Sequence, residues 1–181
     1  MQIIMMHGLP ATGKSTIAKE IQKNLPNSVI LKSATYRPIK HNTSYFDETL
    51  SEISQQKDEA YKTLINDAKK AISAGKIPIL DATFHKKHRR NWVYKLEKDG
   101  ITIKILSTRC SDKTITKRIG SRKNKKNADS MLNQKKAFDI MKLQADPLTK
   151  DENTLKTTLK INTDKPVDSN EVLNWLKTIS S

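Results

Sequence analysis

The sequence predicts an α/β fold in which a five-stranded parallel sheet lies between two layers of helices. Five short apolar segments, each long enough for one buried strand, alternate with segments whose apolar residues recur at helical spacing. The first apolar segment leads into a glycine-rich turn and then a helical pattern, and no repeat or low-complexity linker interrupts the alternation. Parallel strands joined by right-handed crossovers carry helices on both faces of the sheet.

Length and composition predict a single soluble domain spanning residues 1–181. No apolar run approaches the roughly 20 residues that cross a membrane, and Met1 stands almost directly before the first strand, without room for a signal peptide. We therefore expect a cytoplasmic protein without a membrane partner. The single cysteine, Cys110, cannot form an internal disulfide, and no group of cysteines and histidines has zinc-site spacing.

The first strand, at 2–6, leads into a phosphate-binding turn. Residues 8–16 fit the pattern G-x-x-x-x-G-K-[ST], in which backbone N–H groups and a helix N-terminus surround a phosphate. Lys14 is expected to reach the β- and γ-phosphates, and Ser15, ahead of Thr16, to bind Mg²⁺. The predicted cofactors are ATP and Mg²⁺, although these residues do not decide between ATP and GTP. The predicted nucleotide-binding residues are Gly8, Ala11, Thr12, Gly13, Lys14, Ser15 and Thr16.

The second strand, at 28–31, ends in a loop with candidate acceptor-binding residues. Thr35 and Arg37 follow the carboxyl end of this strand, where open α/β sheets bind their ligands. An amphipathic pattern over 47–74 then predicts two consecutive helices that end at Gly75.

The third strand, at 77–81, ends in Asp81. An acid at this point can organise Mg²⁺ through water or orient an acceptor hydroxyl, and the simpler alternative is a helix N-cap. The basic run at 85–90 follows and begins another helix. Because positive charge is unfavourable at a helix N-terminus, the run predicts contact with a polyanion through Arg89 and Arg90, against the alternative of a solvated helix start.

The fourth strand, at 101–106, precedes a helix over 112–120 and a polar, basic segment that we interpret as a lid over about 121–128. Arg118 and Arg122 lie one turn apart on the same helical face. Two such arginines beside a lid can hold the β- and γ-phosphates and offset the charge that develops during phosphoryl transfer.

The chain ends with three further predicted elements: a helix over 128–145, a fifth strand near 159–162 and a final helix with apolar residues around 172–176.

These motifs together resemble the small P-loop kinases that include the 5′-hydroxyl polynucleotide kinase domain and the zeta-toxin-like kinases. The resemblance spans nearly the whole chain and rests on residues 8–16, on Asp81-Ala82-Thr83-Phe84 followed by Arg89-Arg90, and on Arg118 and Arg122 before Ala128-Asp129-Ser130. It implies a P-loop kinase-type three-layer sandwich with a basic lid. Lys14, Asp81, Arg118 and Arg122 become the expected catalytic residues. The resemblance also implies that Arg37 contacts the acceptor and that the turn at 161–166 lies near adenine.

One position departs from the family pattern. Relatives usually carry an aspartate three residues before the arginine that matches Arg37, where it accepts the proton of the acceptor hydroxyl, and this chain has Ala34. Asp81 is the best-placed substitute, with Asp47 and His41 as weaker ones. A loose transition state makes the base less demanding, so catalysis remains the expectation.

Three functions remain open. The leading hypothesis is ATP-dependent transfer of the γ-phosphoryl group to a 5′-hydroxyl of RNA or DNA, favoured by the net charge of +15. The same excess of lysine is equally compatible with a role in solubility alone. The alternatives are a kinase of a small metabolite or antibiotic, and an ATP- or RNA-binding module that has lost phosphoryl transfer, as Ala34 would allow.

Overall fold

Five strands form one parallel sheet in the computed structural model, which describes residues 1–36, 47–122, 135–153 and 157–177. The strands are β1 Gln2–His7, β2 Ser28–Lys32, β3 Ile77–Asp81, β4 Thr102–Arg109 and β5 Thr158–Asn162, and their order in the sheet is β2-β3-β1-β4-β5. Every neighbouring pair is parallel. The predicted fold class is therefore confirmed.

Six α-helices connect or follow the strands: α1 Lys14–Asn24, α2 Ser51–Ser73, α3 Lys87–Tyr94, α4 Asp112–Arg122, α5 Lys135–Leu143 and α6 Ser169–Lys177. Short 3₁₀ turns occupy Ser33–Tyr36, Lys95–Asp99 and Asp151–Asn153. The prediction of two helices within 47–74 is wrong, because α2 is one helix of 23 residues. No glycine or proline interrupts it, and a buried apolar stripe runs from Ala60 to Ile72 and packs against the sheet.

Two hydrophobic layers enclose the sheet. On one face, side chains such as Ile3 and Met5 pack against α2 and α3, and on the other Ile4 and Met6 pack against α1 and α6. The central strand β1 is buried on both faces, which explains why its sequence is uniformly apolar rather than alternating. A smaller cluster, in which Ala11 contacts residues of α4 and α5, packs these two helices beside the phosphate-binding turn.

The parallel arrangement brings the carboxyl ends of all five strands to one edge of the sheet. Lys32 pairs with Asp81, His7 with Ser107 and Arg109 with Asn162. The turn that follows the central strand β1 therefore lies in the middle of this edge. None of the helices in the described parts of the chain is long and apolar enough to cross a membrane.

Several predicted features fall outside the described residues. They include Arg37, His41, most of the predicted lid and the predicted helix start at 128, so that only Ser121 and Arg122 of the lid belong to the description, as the end of α4.

Candidate active site

The turn between β1 and α1 has the backbone of a phosphate cradle. Gly8 and Gly13 adopt φ angles of 136° and 95°, in the left-handed region that favours glycine. A Cβ at Gly8 would lie 2.5 Å from the carbonyl oxygen of Thr108, so no larger residue fits there. Ala11 is also left-handed, with φ of 63°, and such strain in a non-glycine residue is concentrated at functional sites. Gly13 caps α1 and directs the helix N-terminus into the turn.

The side chains of the turn divide into those that support it and those that face solvent. Lys14 is 8% exposed, and its Nζ donates to the carbonyl oxygen of Leu9 at 2.8 Å, folding over the turn. The Thr12 hydroxyl lies 2.7 Å from both the Leu9 carbonyl oxygen and Thr108 Oγ1, which holds the turn against β4. Ser15 is exposed at the start of α1, as is Thr16. Both hydroxyls are thus accessible to a ligand at this end of the helix, and cation binding by Ser15 stays a prediction.

Asp81 ends β3 at the same edge of the sheet and is 8% exposed. Within the described chain, no group forms a hydrogen bond or ion pair with its carboxylate. The N-cap alternative is wrong: the cap residue of α3 is Lys86, and the carboxylate that accepts the first helical N–H, from Lys87 at 2.7 Å, belongs to Asp146.

Carboxylate and hydroxyl oxygens such as those of Asp81 and Ser15 are ligands that Mg²⁺ accepts. In the parts of the chain that the structure describes, no group of three or more histidine, cysteine, aspartate or glutamate side chains could hold a metal ion. The residues present thus fit Mg²⁺ bound through one or two side chains together with substrate phosphates, which is how this ion is usually held.

Arg89 and Arg90 have 0% exposure, so the prediction that they contact a polyanion is wrong. Arg89 donates from Nε to Asp58 at 2.8 Å and from Nη2 to Glu48 at 2.5 Å. Arg90 donates from Nε to Glu152 at 2.7 Å and also binds backbone carbonyl groups. Carboxylates from distant segments neutralise both arginines. The basic run in the sequence gives no indication of this pairing.

Arg118 connects the phosphate-binding turn to the segment after β5. Its Nη1 donates to the Ala11 carbonyl oxygen at 3.1 Å and to Thr163 Oγ1 at 2.9 Å, and its Nη2 to the Thr163 carbonyl oxygen at 2.7 Å. The guanidinium therefore lies beside the phosphate-binding turn and is engaged there, and its contact with the β- and γ-phosphates stays a prediction. Arg122 ends the same helix one turn further along.

A cavity of about 310 Å³ opens beside Arg118. Its lining includes Gly13, Thr16, Arg118, Thr163, Pro166 and Val172, and is mostly apolar. A mainly apolar cavity next to a phosphate cradle suits a nucleobase. The family resemblance implied that residues 161–166 lie near adenine, and Thr163 and Pro166 line this cavity. Val172 of α6 also lines it, and no sequence motif predicted that.

On the other side of the turn, four side chains form a polar row that sequence motifs only partly indicated. The Tyr61 hydroxyl lies 3.0 Å from Thr83 Oγ1, which lies 2.8 Å from His85 Nδ1. His85 Nε2 lies 2.9 Å from Glu48 Oε1. The Gly8 N–H donates to the Thr83 carbonyl oxygen at 3.1 Å, so the row adjoins the phosphate-binding turn. Thr83 belonged to a recognised motif, but no pattern connected it with Glu48.

The surroundings of this row keep Glu48 ionised, and burial keeps His85 neutral at pH 7. Burial alone would raise the pKa of Glu48, but the close contact with His85 Nε2, the positive charge of Lys57 and the hydrogen bond from Arg89 hold it well below its usual range. Burial lowers the pKa of His85 from its ordinary value of 6.5.

His7 ends β1 directly before Gly8, and sequence patterns did not single it out. Its Nδ1 lies 2.9 Å from Ser107 Oγ. Burial, and then the positive charges of Arg90 and Lys14, lower its pKa to about 3. His7 is therefore neutral at pH 7 and adds no charge to the phosphate site.

The remaining acceptor candidates lie at the end of β2 and before α2. Ala34 and Thr35 are exposed in the 3₁₀ turn after β2, and Tyr36 anchors this turn by donating from its hydroxyl to Asp67 at 2.6 Å. Thr35 thus lies at the predicted sheet edge. Asp47 accepts hydrogen bonds from Thr49 and Gln144, so its carboxylate is already engaged.

Three solved structures share the fold across nearly their whole length. A sugar kinase from Janibacter sp. HTCC2649 has 14% identity and a TM-score of 0.71, with 98% of this chain and 95% of that chain covered. The APS kinase of Mycobacterium tuberculosis has 15% identity, a TM-score of 0.65 and 98% coverage of both chains. A deoxyadenosine kinase from M. mycoides has 18% identity, a TM-score of 0.61 and coverage of 97% and 99%.

Identities at this level support the fold alone, so the resemblance to small P-loop kinases is confirmed as a fold, and nothing in these matches favours the polynucleotide kinases among them. No curated protein sequence matches the chain. A family model described as an AAA domain, AAA_33, matches residues 3–148. Since these residues make up most of the chain and include the phosphate cradle and Asp81, this protein belongs to the AAA_33 family of AAA domains.

Proposed function

We propose that this protein is an ATP-dependent kinase that transfers the γ-phosphoryl group to a hydroxyl of a small molecule. The observation that carries the proposal is the grouping, at one edge of the sheet, of a phosphate cradle, a base-sized cavity and the carboxylate of Asp81, which has no partner among the described residues. A buried carboxylate without a partner in the described parts of the chain costs stability, and a bound cation would offset that cost.

The residues of the cradle take distinct roles in this reaction. Lys14 contacts the β- and γ-phosphates, and Ser15 and Asp81 hold Mg²⁺. When bound, Mg²⁺ neutralises charge on the phosphates. Arg118 packs beside the base, and Arg122, one turn further along α4, is the better candidate for a γ-phosphate contact.

The surface where we expect the acceptor to bind fits a small molecule better than a nucleic acid. The arginines of the basic run, which favoured a polyanion, are internal. A groove beside Tyr36 is lined along α2 by Glu52, Gln55, Gln56, Glu59, Ala60 and Thr63, which include two acids and no base. Such a groove repels a phosphate backbone and offers hydrogen bonds to a small polar molecule. The similar structures named above are kinases of a sugar, of deoxyadenosine and of APS.

The test is transfer of radiolabelled γ-phosphate from ATP, with Mg²⁺, to two sets of acceptors. One set contains sugars, deoxyadenosine and APS, and the other contains 5′-hydroxyl RNA and DNA oligonucleotides. We expect label in a member of the first set. Lys14→Ala removes the phosphate contact and controls for contaminating kinases, and Lys23→Ala, exposed at the far end of the same helix, is the matched control that keeps activity.

The outcomes separate the candidate functions. Label in oligonucleotides that disappears with Lys14→Ala would establish the nucleic-acid acceptor, which the net charge of +15 still favours. Binding of ATP without transfer to any acceptor would indicate a nucleotide-binding module that lacks catalysis.

A further inference from the structure

The polar row Tyr61–Thr83–His85–Glu48 opens to solvent at one member. Tyr61 is 5% exposed and His85 3%, and the Glu48 side chain is 1% exposed. Thr83 is partly exposed, and its backbone carbonyl oxygen accepts a hydrogen bond from the first glycine of the phosphate cradle. Because the side chains of the other three members are buried, a ligand meets this row at Thr83.

Glu48 fixes where the hydrogens of the row lie. Its carboxylate is ionised because Lys57 Nζ lies 2.8 Å and Arg89 Nη2 2.5 Å from its oxygens. A ring-nitrogen lone pair 2.9 Å from such an oxygen would be repelled, so His85 Nε2 carries the hydrogen, although the contact is bent and not a well-aligned hydrogen bond. The buried ring is neutral, and Nδ1 keeps its lone pair.

The tautomer of His85 determines where the hydroxyl hydrogens of Thr83 and Tyr61 point. Thr83 must donate its hydroxyl hydrogen to His85 Nδ1, 2.8 Å away, because that nitrogen has only a lone pair to offer. The Tyr61 oxygen accepts the Phe84 N–H at 3.3 Å, which leaves its own hydrogen to point at Thr83 Oγ1. Thr83 Oγ1 has then donated its only hydrogen and received one, and one lone pair remains.

The backbone holds Thr83 in this position at a cost in strain. Phe84, the next residue, is fully buried with φ of 46°, an unfavourable angle for a bulky residue. Its carbonyl oxygen accepts a hydrogen bond from Arg90 at 3.0 Å. Strained backbone that is held by buried partners is concentrated at functional sites.

We propose that Thr83 Oγ1 accepts the hydrogen of the acceptor hydroxyl and passes a proton to His85, replacing the carboxylate that is absent at Ala34. This inference rests on the proposed kinase function. The acceptor oxygen forms a bond to the γ-phosphorus, and the bond from that phosphorus to the β,γ-bridging oxygen breaks, its electron pair leaving with ADP. The acceptor proton moves to Thr83 Oγ1 as the Thr83 proton moves to His85 Nδ1, where Glu48 stabilises the imidazolium.

The proton returns to solvent through Thr83 after product release. Asp81 is then left to hold Mg²⁺ and need not act as the base. Thr83 is the catalytic residue of this step, whereas His85 and Glu48 act through it and are positioning residues.

The first test does not depend on turnover. Histidine side-chain ¹⁵N shifts of the full-length protein report the tautomer of each ring, and His85→Gln assigns the signals among the four histidines. We expect neutral His85 with its hydrogen on Nε2 at pH 7, and a shift of its Nδ1 signal in Thr83→Val, which lacks the hydroxyl. A hydrogen on Nδ1 would overturn the relay, whether or not the protein is a kinase.

The second test measures transfer to the acceptor found with the panel above. General-base catalysis contributes about 10²–10⁴-fold, so Thr83→Val and His85→Gln should lower kcat by roughly 10²-fold with little change in the KM for ATP. Thr83→Ser keeps the hydroxyl and should retain most of the activity. If Thr83→Val transfers phosphate at the wild-type rate while Lys14→Ala is inactive, the proton relay is wrong and the kinase function stands. If the wild-type protein transfers no phosphate, both the kinase function and the relay are wrong.

A pH profile separates proton transfer from a structural role. The relay needs neutral His85, so kcat should fall as the pH is lowered below 6.5 and through the pKa of His85. This fall in kcat at low pH should be lost in His85→Gln, whereas a purely structural role would lower kcat without changing the profile.

The charged and titratable groups around His85 are Glu48, Lys57 and Tyr61 from α2 and the segment before it, Arg89 from α3, and His7 from β1.

Discussion

Gly8 shows how a single residue determines the phosphate cradle. Replacing it with alanine would force a Cβ to within 2.5 Å of the Thr108 carbonyl oxygen, in addition to the strain of a φ of 136°. Because backbone cannot yield as a flexible side chain does, we expect Gly8→Ala to lower the free energy of unfolding by more than the ~1–3 kcal/mol that strain alone costs, and to abolish ATP binding.

The measurement is chemical unfolding together with calorimetric titration of ATP. Gly75→Ala is the matched control, because Gly75 is also left-handed but a Cβ there would meet nothing within 4 Å. It should cost about 1–2 kcal/mol and leave ATP binding intact. Equal effects at the two positions would contradict the role of the close contact at Gly8.

Asp81 allows a prediction in which activity and stability change independently. Its buried carboxylate has no partner in the described chain, so Asp81→Asn should preserve or slightly raise stability. The same substitution should raise the Mg²⁺ concentration needed for half-maximal transfer by tenfold or more, since a neutral amide binds the ion weakly. Asp99→Asn, at an exposed position, is the control. An unchanged Mg²⁺ dependence in Asp81→Asn would remove Asp81 from the metal site.

At the scale of elements, a buried ion pair fixes α3 against the segment that follows α5. Arg90 has 0% exposure and binds Glu152, which also accepts from the Tyr94 hydroxyl at 2.7 Å. Removing one partner of such a pair leaves a buried charge uncompensated, so Glu152→Gln should cost about 3–5 kcal/mol of unfolding free energy. Glu59→Gln breaks an exposed pair with Lys62 and should cost less than ~1 kcal/mol.

The pH dependence of this pair has a definite sign. Burial would raise the pKa of Glu152, but hydrogen bonds from Arg90, Thr149 and Tyr94 lower it from 4.5 to about 2. The pair therefore contributes its stability above about pH 4.5 and loses it as the pH falls towards 2. The difference in denaturation midpoint between wild type and Glu152→Gln should shrink over this window. A difference that stays constant from pH 7 to pH 3 would contradict the ionic character of the pair.

The elements also show what the sequence could and could not predict. The apolar strands and the glycine-rich turn are local patterns, and they led to the correct sheet, layers and cradle. Arg89 and Arg90 were misassigned because their carboxylate partners, Glu48, Asp58 and Glu152, lie 31 to 62 residues away in the chain. A local charge run gives no information about such partners, and the Thr83–His85–Glu48 row went unrecognised for the same reason.

For the whole molecule, the position of the charge matters more than its total. The chain carries a net charge of +15, yet two of its arginines lie in the interior and the groove beside Tyr36 contains two acids. Charge spread over the surface attracts polyanions without directing their ends into the active site.

Salt dependence distinguishes such general attraction from a true acceptor site. We expect single-stranded oligonucleotides to bind weakly and to lose at least ~10-fold in affinity between 50 and 200 mM salt, as counterion release requires. Transfer of phosphate to a small-molecule acceptor should change less than about twofold over the same range, because it depends on contacts at the sheet edge that salt screens little. Fluorescence anisotropy with a labelled oligonucleotide and the transfer assay would be run in the same buffers. If the oligonucleotide competes with the small acceptor for transfer at 200 mM salt, it occupies the acceptor site, and the small-molecule assignment is wrong.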